Sequence, residues 1–124
     1  MATCVDISGS EYPEIYAEHE IQPMEGKSLR PVFQEDQMDA RHLLLEHESH
    51  AAIRKGDWKL VGIGVVRDDS TLTEKWELYN IQEDRSELND LSGQFPDKFA
   101  ELRELFEKEA RRVRFFPSKF GRSE

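Results

Sequence analysis

The sequence predicts an α+β fold in which a three- to four-stranded antiparallel sheet packs against one long C-terminal amphipathic helix, after an irregular N-terminal segment. Three observations predict it. Four short runs with strand signals are separated by turn residues between positions 42 and 81, and the run Asp57–Val66 is rich in β-branched residues. Apolar residues recur at helical spacing after Pro96. Glycine and proline interrupt residues 9–35. One helix lying on one sheet gives a two-layer unit.

The N-terminal segment opens with MATCVDIS, which is typical of the last turns of a helix, and Gly9 predicts its end. This helix begins inside an apolar stretch without a capping residue before it. We therefore expect a chain cut from a longer one, the alternative being a short helix that frays. Residues 9–35 are expected to be extended or turn, with at most a short helix near Leu29–Phe33.

Four segments have the composition of strands, and each ends at polar or turn-forming residues. A tight reversal is expected at Gly56, because glycine tolerates positive φ. Gly62 and Gly64 lie inside a strand pattern and predict a bulge or a close neighbour. The polar stretch Arg67–Glu74 is expected to be a hairpin loop. The predicted strands are His42–Glu48, Ala51–Lys55, Asp57–Val66 and Trp76–Ile81.

The clearest element is a helix that begins at Pro96, a residue suited to the first helical position. Acidic residues lie early in it and basic residues late, as the helix dipole favours. One apolar stripe runs along it and predicts the face that covers the sheet. The stripe consists of Phe99, Leu102, Phe106, Ala110 and Val113.

Composition excludes several classes of function. The 124 residues suit one domain, and the net charge is −9. An acidic chain is a poor general binder of nucleic acid, since phosphate contacts need a basic surface, and it is a poor partner for anionic membranes. No apolar run is long enough for a membrane span. Cys4 is the only cysteine, so no internal disulfide can form.

A cluster of proton- and metal-binding side chains lies between His42 and His50. In an extended strand, His42, Glu46, Glu48 and His50 would alternate onto one face, with His47 on the other. Two imidazoles and two carboxylates could hold zinc. The alternative is a solvated strand face with an exposed turn. The usual companions of a zinc site are missing from the sequence, and we predict no metal site in this chain.

Other candidate groups also have simpler interpretations. Cys4 could be a nucleophile, but its neighbours do not lower a thiol pKa, and a small apolar role on a helix face is favoured. The run from Arg111 to Phe116 could bind an anion or a stacked base, or it could simply end the helix. The acids Asp84, Glu87 and Asp90 lack the spacing of a calcium loop and are typical of a turn-rich connection.

Four segments, in order along the chain, resemble the C-terminal portion of a type I sulfatase. This is the arylsulfatase-like branch of the alkaline phosphatase superfamily, and the likeness covers roughly residues 1–117. MATCVDISGSEYP resembles the helix and loop that close the large sulfatase domain. The matching motifs are IQPMEGKSLRPVF, EHESHAAIRKGDWKLV and WELYNIQEDRSELNDL, the last with Arg85 in place of the usual proline.

The resemblance implies a division of the chain. Residues 1–35 would end the large sulfatase domain and connect it onward, residues 36–117 would form the C-terminal subdomain, and residues 118–124 a loose tail. His47, Glu48 and His50 match the family's E-H-E loop and would contact the organic part of a substrate. The alternative is that these side chains only fix the hairpin. Arg54, Trp58 and Lys59 are expected to be structural, with the lysine stem over the indole.

The resemblance also implies what this chain lacks. Sulfatases hydrolyse sulfate esters with a formylglycine made from a C-x-P-x-R cysteine and with a bound calcium ion, both in the large N-terminal domain. The segment around Cys4 does not match that motif. We therefore expect no catalytic residue and no cofactor in this chain, which would be silent alone. Its partner would be the missing N-terminal domain, or a second copy through the exposed interface.

A function of a different class stays open, namely a free-standing α+β interaction module derived from that subdomain. The cellular compartment also stays open. Relatives in this family are often periplasmic or secreted, but the N-terminus carries acid and no basic region typical of a signal peptide.

Overall fold

A computed structural model describes residues 1–35, 38, 40–65 and 75–113. The predicted loop Arg67–Glu74 and the tail 118–124 lie outside these residues. The chain divides into two compact units, with the boundary between Ala40 and Arg41. The assignment of the first unit to a larger domain stays a prediction.

The N-terminal unit contains two short helices and one small hairpin. Helix α1 spans Ala2–Ser8 and ends, as predicted, at Gly9, whose φ of 68° is left-handed. Strands β1 (Ile15–Tyr16) and β2 (His19–Glu20) pair antiparallel, and helix α2 spans Arg30–Glu35. The hairpin was not predicted.

Two polar contacts join α1 to the start of α2. The backbone N–H of Leu29 donates to Thr3 Oγ1 at 3.1 Å, and Arg30 Nη1 lies 3.1 Å from Asp6 Oδ1. Hydrogen bonds from Ser28 and then Arg30 lower the pKa of the Asp6 carboxyl. Both side chains of the ion pair are well exposed, so we expect little stability from it.

The C-terminal unit confirms the predicted α+β layers. Its four strands form one antiparallel sheet in chain order. Two-residue turns join the first three strands, with Glu48-Ser49 in one and Gly56-Asp57 in the other, and Gly56 takes the expected positive φ of 60°. The elements are β3 (His42–His47), β4 (His50–Lys55), β5 (Trp58–Ile63), β6 (Lys75–Asn80) and α3 (Pro96–Arg112).

The core lies between α3 and one face of this sheet, which we call the helix face. Directly paired residues point to the same face of the sheet, so the strand register shows on which face each side chain lies. Leu44 pairs with Ile53, Ile53 with Leu60 and Leu60 with Leu78. All four belong to the helix face, and the last three are fully buried. The core cluster comprises Ala51, Ile53, Leu60, Val65, Leu78, Leu102, Phe106 and Ala110.

Aromatic side chains pack at two places along α3. Trp58 meets the edge of Phe95, just before the helix, at a centroid distance of 5.1 Å. Trp76 meets Phe106 at 5.0 Å, and the guanidinium of Arg103 lies 4.0 Å from the Trp76 ring centroid. The structure thus gives Trp76 both an edge-to-face contact and a cation–π contact.

Gly62 leaves the space that this indole occupies. A Cβ atom at position 62 would lie 2.8 Å from two carbons of the Trp76 ring and 2.7 Å from Val65 Cγ2. The close neighbour predicted for this glycine is therefore Trp76, its cross-strand partner.

The outer edge of β6 is closed by the connection that leads to α3. The backbone N–H of Leu78 donates to Asp90 Oδ1 at 3.0 Å, and the Leu78 carbonyl accepts from the N–H of Leu91 at 2.8 Å. The carbonyl of Asn80 accepts from the N–H of Asp84 at 2.8 Å. The chain following β6 therefore takes the place of a fifth strand at this edge. Of the helices described, none is long and apolar enough to cross a membrane.

Candidate functional site

The candidate residues His47, Glu48 and His50 lie together at the tip of the β3–β4 hairpin. His47 is the last residue of β3, His50 is the first of β4, and the two are directly paired. Glu48 is the first residue of the intervening turn. The structure therefore brings all three side chains to one loop on a rigid pair of strands, which is the usual arrangement for binding residues.

Glu48 has an unfavourable backbone conformation. Its φ is 56°, in the left-handed region. A two-residue hairpin turn demands positive φ at its first position, where glycine, asparagine or aspartate is normal. A glutamate held there costs about 1–2 kcal/mol. The exposed Glu48 carboxylate thus lies at the tip although its backbone conformation is unfavourable. Residues with unfavourable backbone conformations cluster at functional sites.

His50 is anchored to the far end of β5. Its Nδ1 atom accepts a hydrogen bond from the backbone N–H of Gly64 at 3.2 Å, and the ring is half-buried. An imidazole that accepts through Nδ1 carries the proton of its neutral form on Nε2. The ring is thus oriented by the fold, and its Nε2–H is a donor suited to a substrate oxygen.

The structure corrects the predicted strand face that could have held zinc. The turn at Glu48 ends β3 one residue earlier than predicted, so His50 shares a face with His47 and not with Glu46. His42 lies at the other end of β3, where its Nε2 atom is 3.4 Å from Glu109 Oε2. Within the described part of the chain, no group of three or more potential ligands could hold a metal ion.

The structure also corrects the expected position of Lys59. Neighbouring strand residues face opposite ways, so its stem cannot cover Trp58. Lys59 lies on the opposite face, where its Nζ atom is 2.6 Å from Glu87 Oε1. Trp58 is packed against Phe95 instead.

A polar row on β6, also on the face opposite the helix, was missed from the sequence. Glu77 accepts a hydrogen bond from Tyr79 Oη at 2.7 Å and pairs with Lys75 Nζ at 2.5 Å. Burial, and then the bond to Glu77, raise the pKa of the Tyr79 phenol. Hydrogen bonds from Lys75 and Tyr79 lower the pKa of Glu77. The i, i+2 spacing of Lys75, Glu77 and Tyr79 could have predicted that these side chains share one face of the strand. Because their charges are paired with one another, we assign the row a structural role.

The other candidate groups lie at the following positions. Asp84 Oδ2 accepts from the backbone N–H groups of Leu88 and Asn89, both at 2.8 Å, as in a turn-rich connection. Arg111 pairs with Glu107 at 3.5 Å, inside the helix end. Cys4 is exposed on α1. Residues 114–116 of the basic, aromatic run lie outside the described part.

Solved structures share this fold, although no family profile and no curated protein matches the chain. BT4656 in complex with its substrate D-glucosamine-2-N,6-O-disulfate is 22% identical with a TM-score of 0.62, over 99% of this chain and 25% of its own. A second, BT33336S-sulf, from work on glycosaminoglycan metabolism by Bacteroides thetaiotaomicron, is 21% identical with a TM-score of 0.63, over 87% and 23%.

A third similar structure is Ps i-CgsB, which has also been solved in complex with k-i-k-neocarrahexaose. It is 23% identical with a TM-score of 0.57, over 88% of this chain and 22% of its own. The neighbours are sulfatases. This chain spans about a quarter of their length and has the fold of that quarter, as the predicted resemblance to a C-terminal subdomain requires.

Proposed function

We propose that this chain is the C-terminal subdomain of an arylsulfatase-like sulfuric ester hydrolase, where it completes the fold and lines the substrate cleft. The observation that carries the proposal is the extent of the structural likeness, which takes in almost all of this chain and only a quarter of each neighbour. The ordered motifs of the sequence support the same conclusion independently.

The β3–β4 hairpin tip would contact the sugar part of a sulfated carbohydrate. Two similar structures were solved with such ligands, a disulfated glucosamine and a carrageenan-type hexaose. The oriented Nε2–H of His50 would donate to a hydroxyl or sulfate oxygen, and the Glu48 carboxylate would accept from a hydroxyl. Such convergent polar groups fix orientation, because an unmatched substrate leaves them unpaired.

Chemistry would belong to the remainder of the enzyme. A sulfate ester needs an activated nucleophile and preorganised stabilisation of charge. In this proposal the formylglycine and the calcium ion lie in the N-terminal domain, and the present chain contributes shape and substrate contacts. The isolated chain is then expected not to hydrolyse an aryl sulfate.

One experiment tests the silent subdomain. The purified chain is incubated with a chromogenic aryl sulfate and calcium, and release of the phenol is compared with a heat-treated sample. We expect equal rates in the two samples. Turnover above the heated sample would overturn the assignment of all chemistry to another domain.

A second experiment reads the coding sequence upstream of Met1, where we expect an in-frame C-x-P-x-R segment.

A third experiment tests the cleft-lining role. In the complete protein, His50→Ala should lower kcat/KM for a sulfated sugar by about tenfold or more, the loss of one good hydrogen bond to substrate. His19→Ala, a change of another histidine, is the control. Equal kcat/KM values for the two variants would remove His50 from the site.

A free-standing interaction module is the second candidate function. It is favoured by β3, which is an edge strand of the sheet as far as the structure describes it and offers backbone groups to a partner strand. A stable, monomeric chain whose upstream sequence lacks any sulfatase motif would support the module over the subdomain.

A further inference from the structure

In the described part of the chain, β3 is an edge strand whose only neighbour in the sheet is β4. In a two-residue hairpin, the carbonyl of His47 accepts from the N–H of His50, so the backbone of His47 faces β4. Because the direction alternates along a strand, Leu45 and Leu43 also face β4. The backbone groups of Glu46, Leu44 and His42 therefore face outward.

The two edges of the sheet differ. At β6 the outward groups of Leu78 are taken up by Asp90 and Leu91. At β3, among the residues that the structure describes, no backbone hydrogen bond is recorded on the outward side. This edge has no proline or lysine, its register with β4 is not interrupted by a bulge, and Glu46 is its one carboxylate. Leu43 and Leu45 are 41% and 50% exposed.

The sequence of β3 is self-complementary in one antiparallel register. If a twofold axis passes through Leu44, His42 lies opposite Glu46 of a second copy, and Leu43 lies opposite its Leu45. The outward-facing residues then meet as hydrogen-bonded pairs, as an antiparallel ladder requires. A register centred on Leu45 would instead place Leu44 opposite Glu46. A histidine opposite a glutamate and matched apolar side chains favour the register at Leu44.

We propose that β3 pairs with β3 of a second copy of this chain, in an antiparallel register centred on Leu44. The two four-stranded sheets join into one continuous sheet, with both α3 helices on the same side. The pairing stands on the edge strand alone and does not depend on the function proposed for the hairpin tip.

The expected dimer is weak. The register offers about six backbone hydrogen bonds, two Leu43–Leu45 pairs and two His42–Glu46 pairs. Each cross-strand pair contributes little, and a single strand buries far less surface than a standard interface. Association should therefore depend on concentration over the micromolar range and above.

Sedimentation equilibrium of the full chain measures this association. We expect a monomer–dimer equilibrium, and Leu45→Lys should weaken it by about tenfold or more, because each copy loses an apolar pair and gains a lysine, a residue that protects sheet edges against pairing. The control is Leu88→Lys, a change at a leucine that is 79% exposed in the loop after β6. A chain that stays monomeric, or equal losses in both variants, would overturn the proposal.

Cysteine cross-linking tests the register. Leu43→Cys and Leu45→Cys are prepared separately in a Cys4→Ser chain, mixed in equal amounts and oxidised. A register centred on Leu44 predicts that the disulfide joins a chain carrying Leu43→Cys to one carrying Leu45→Cys. Disulfides confined to two Leu45→Cys chains would indicate the register centred on Leu45 and overturn ours, as would the absence of any cross-link.

Discussion

His42 Nε2 and Glu109 Oε2 lie 3.4 Å apart, joining the first residue of the edge strand β3 to the last turn of α3. Glu109 is buried, and its Oε2 atom also accepts a hydrogen bond from Arg112 Nε at 2.7 Å. The Arg112 bond, and to a lesser extent His42, lower the pKa of Glu109 from its ordinary value of 4.5, against the effect of burial. The carboxylate is thus stabilised in its charged form.

The first prediction concerns acid. Because the pKa of Glu109 is lower in the folded than in the unfolded chain, its contribution to stability is full above pH 4.5 and is lost as the pH falls through the folded-state pKa. Glu109→Gln should lower the free energy of unfolding by about 1–2 kcal/mol at pH 7, with a shrinking difference below pH 4.5. Urea unfolding across pH measures it. The exposed Glu104→Gln is the control, and a loss that is constant with pH would contradict the prediction.

The second prediction concerns the space beside Trp76. Gly62→Ala places a Cβ atom within 2.8 Å of the indole ring, so the sheet or the ring must shift. We expect a loss of about 2 kcal/mol in the free energy of unfolding. Gly93→Ala is the matched change, because nothing lies within 4 Å of a Cβ there. Equal stabilities of the two variants would show that Trp76 moves aside at no cost.

The third prediction concerns the strained turn. Glu48→Asn should raise the free energy of unfolding by about 0.5–1 kcal/mol, since asparagine tolerates the left-handed region better than glutamate. Gly56→Ala, at the equivalent position of the next hairpin, should lower it by about 1 kcal/mol. Thermal unfolding of both variants provides the comparison. A destabilised Glu48→Asn chain would mean that the glutamate side chain itself supports the turn.

The fourth prediction concerns the closed edge of β6. Burial acts to raise the pKa of Asp90, but the N–H donors of Leu78 and Ser92 outweigh it and the pKa is lowered. Asp90→Ala removes the acceptor for both donors and should cost about 2 kcal/mol. Asp90→Asn retains an acceptor oxygen and should lose less than half of that. Hydrogen exchange at the Leu78 amide should accelerate most in the alanine variant; unchanged exchange would contradict the prediction.

The sequence predicts the elements of the C-terminal unit well, because their signals are local. The stripe from Phe99 to Ala110 marks the buried face of α3 directly, and the β-branched residues of β5 mark the central strand. Hairpin β1–β2 was missed because all four of its residues are exposed, so no alternation of apolar and polar residues marks it.

The sequence identified the residues of the candidate site but not how their side chains lie relative to one another. The predicted strands place the turn one residue too late, because Glu48 is neither glycine nor asparagine, and a turn misplaced by one residue reverses the face of His50. The contact between His42 and Glu109 joins positions far apart in the chain, where no periodicity connects them. Tertiary packing determines which of these distant residues come into contact.

The placement of the two tryptophans has a practical consequence for following how this chain assembles. Trp58 meets Phe95 where α3 begins, and Trp76 meets Phe106 near the middle of the helix. Since the sequence contains only these two indoles, exchanging either one for phenylalanine leaves a single intrinsic fluorophore. Stopped-flow emission from the two single-tryptophan chains would then time the docking of each part of the helix onto the strands separately.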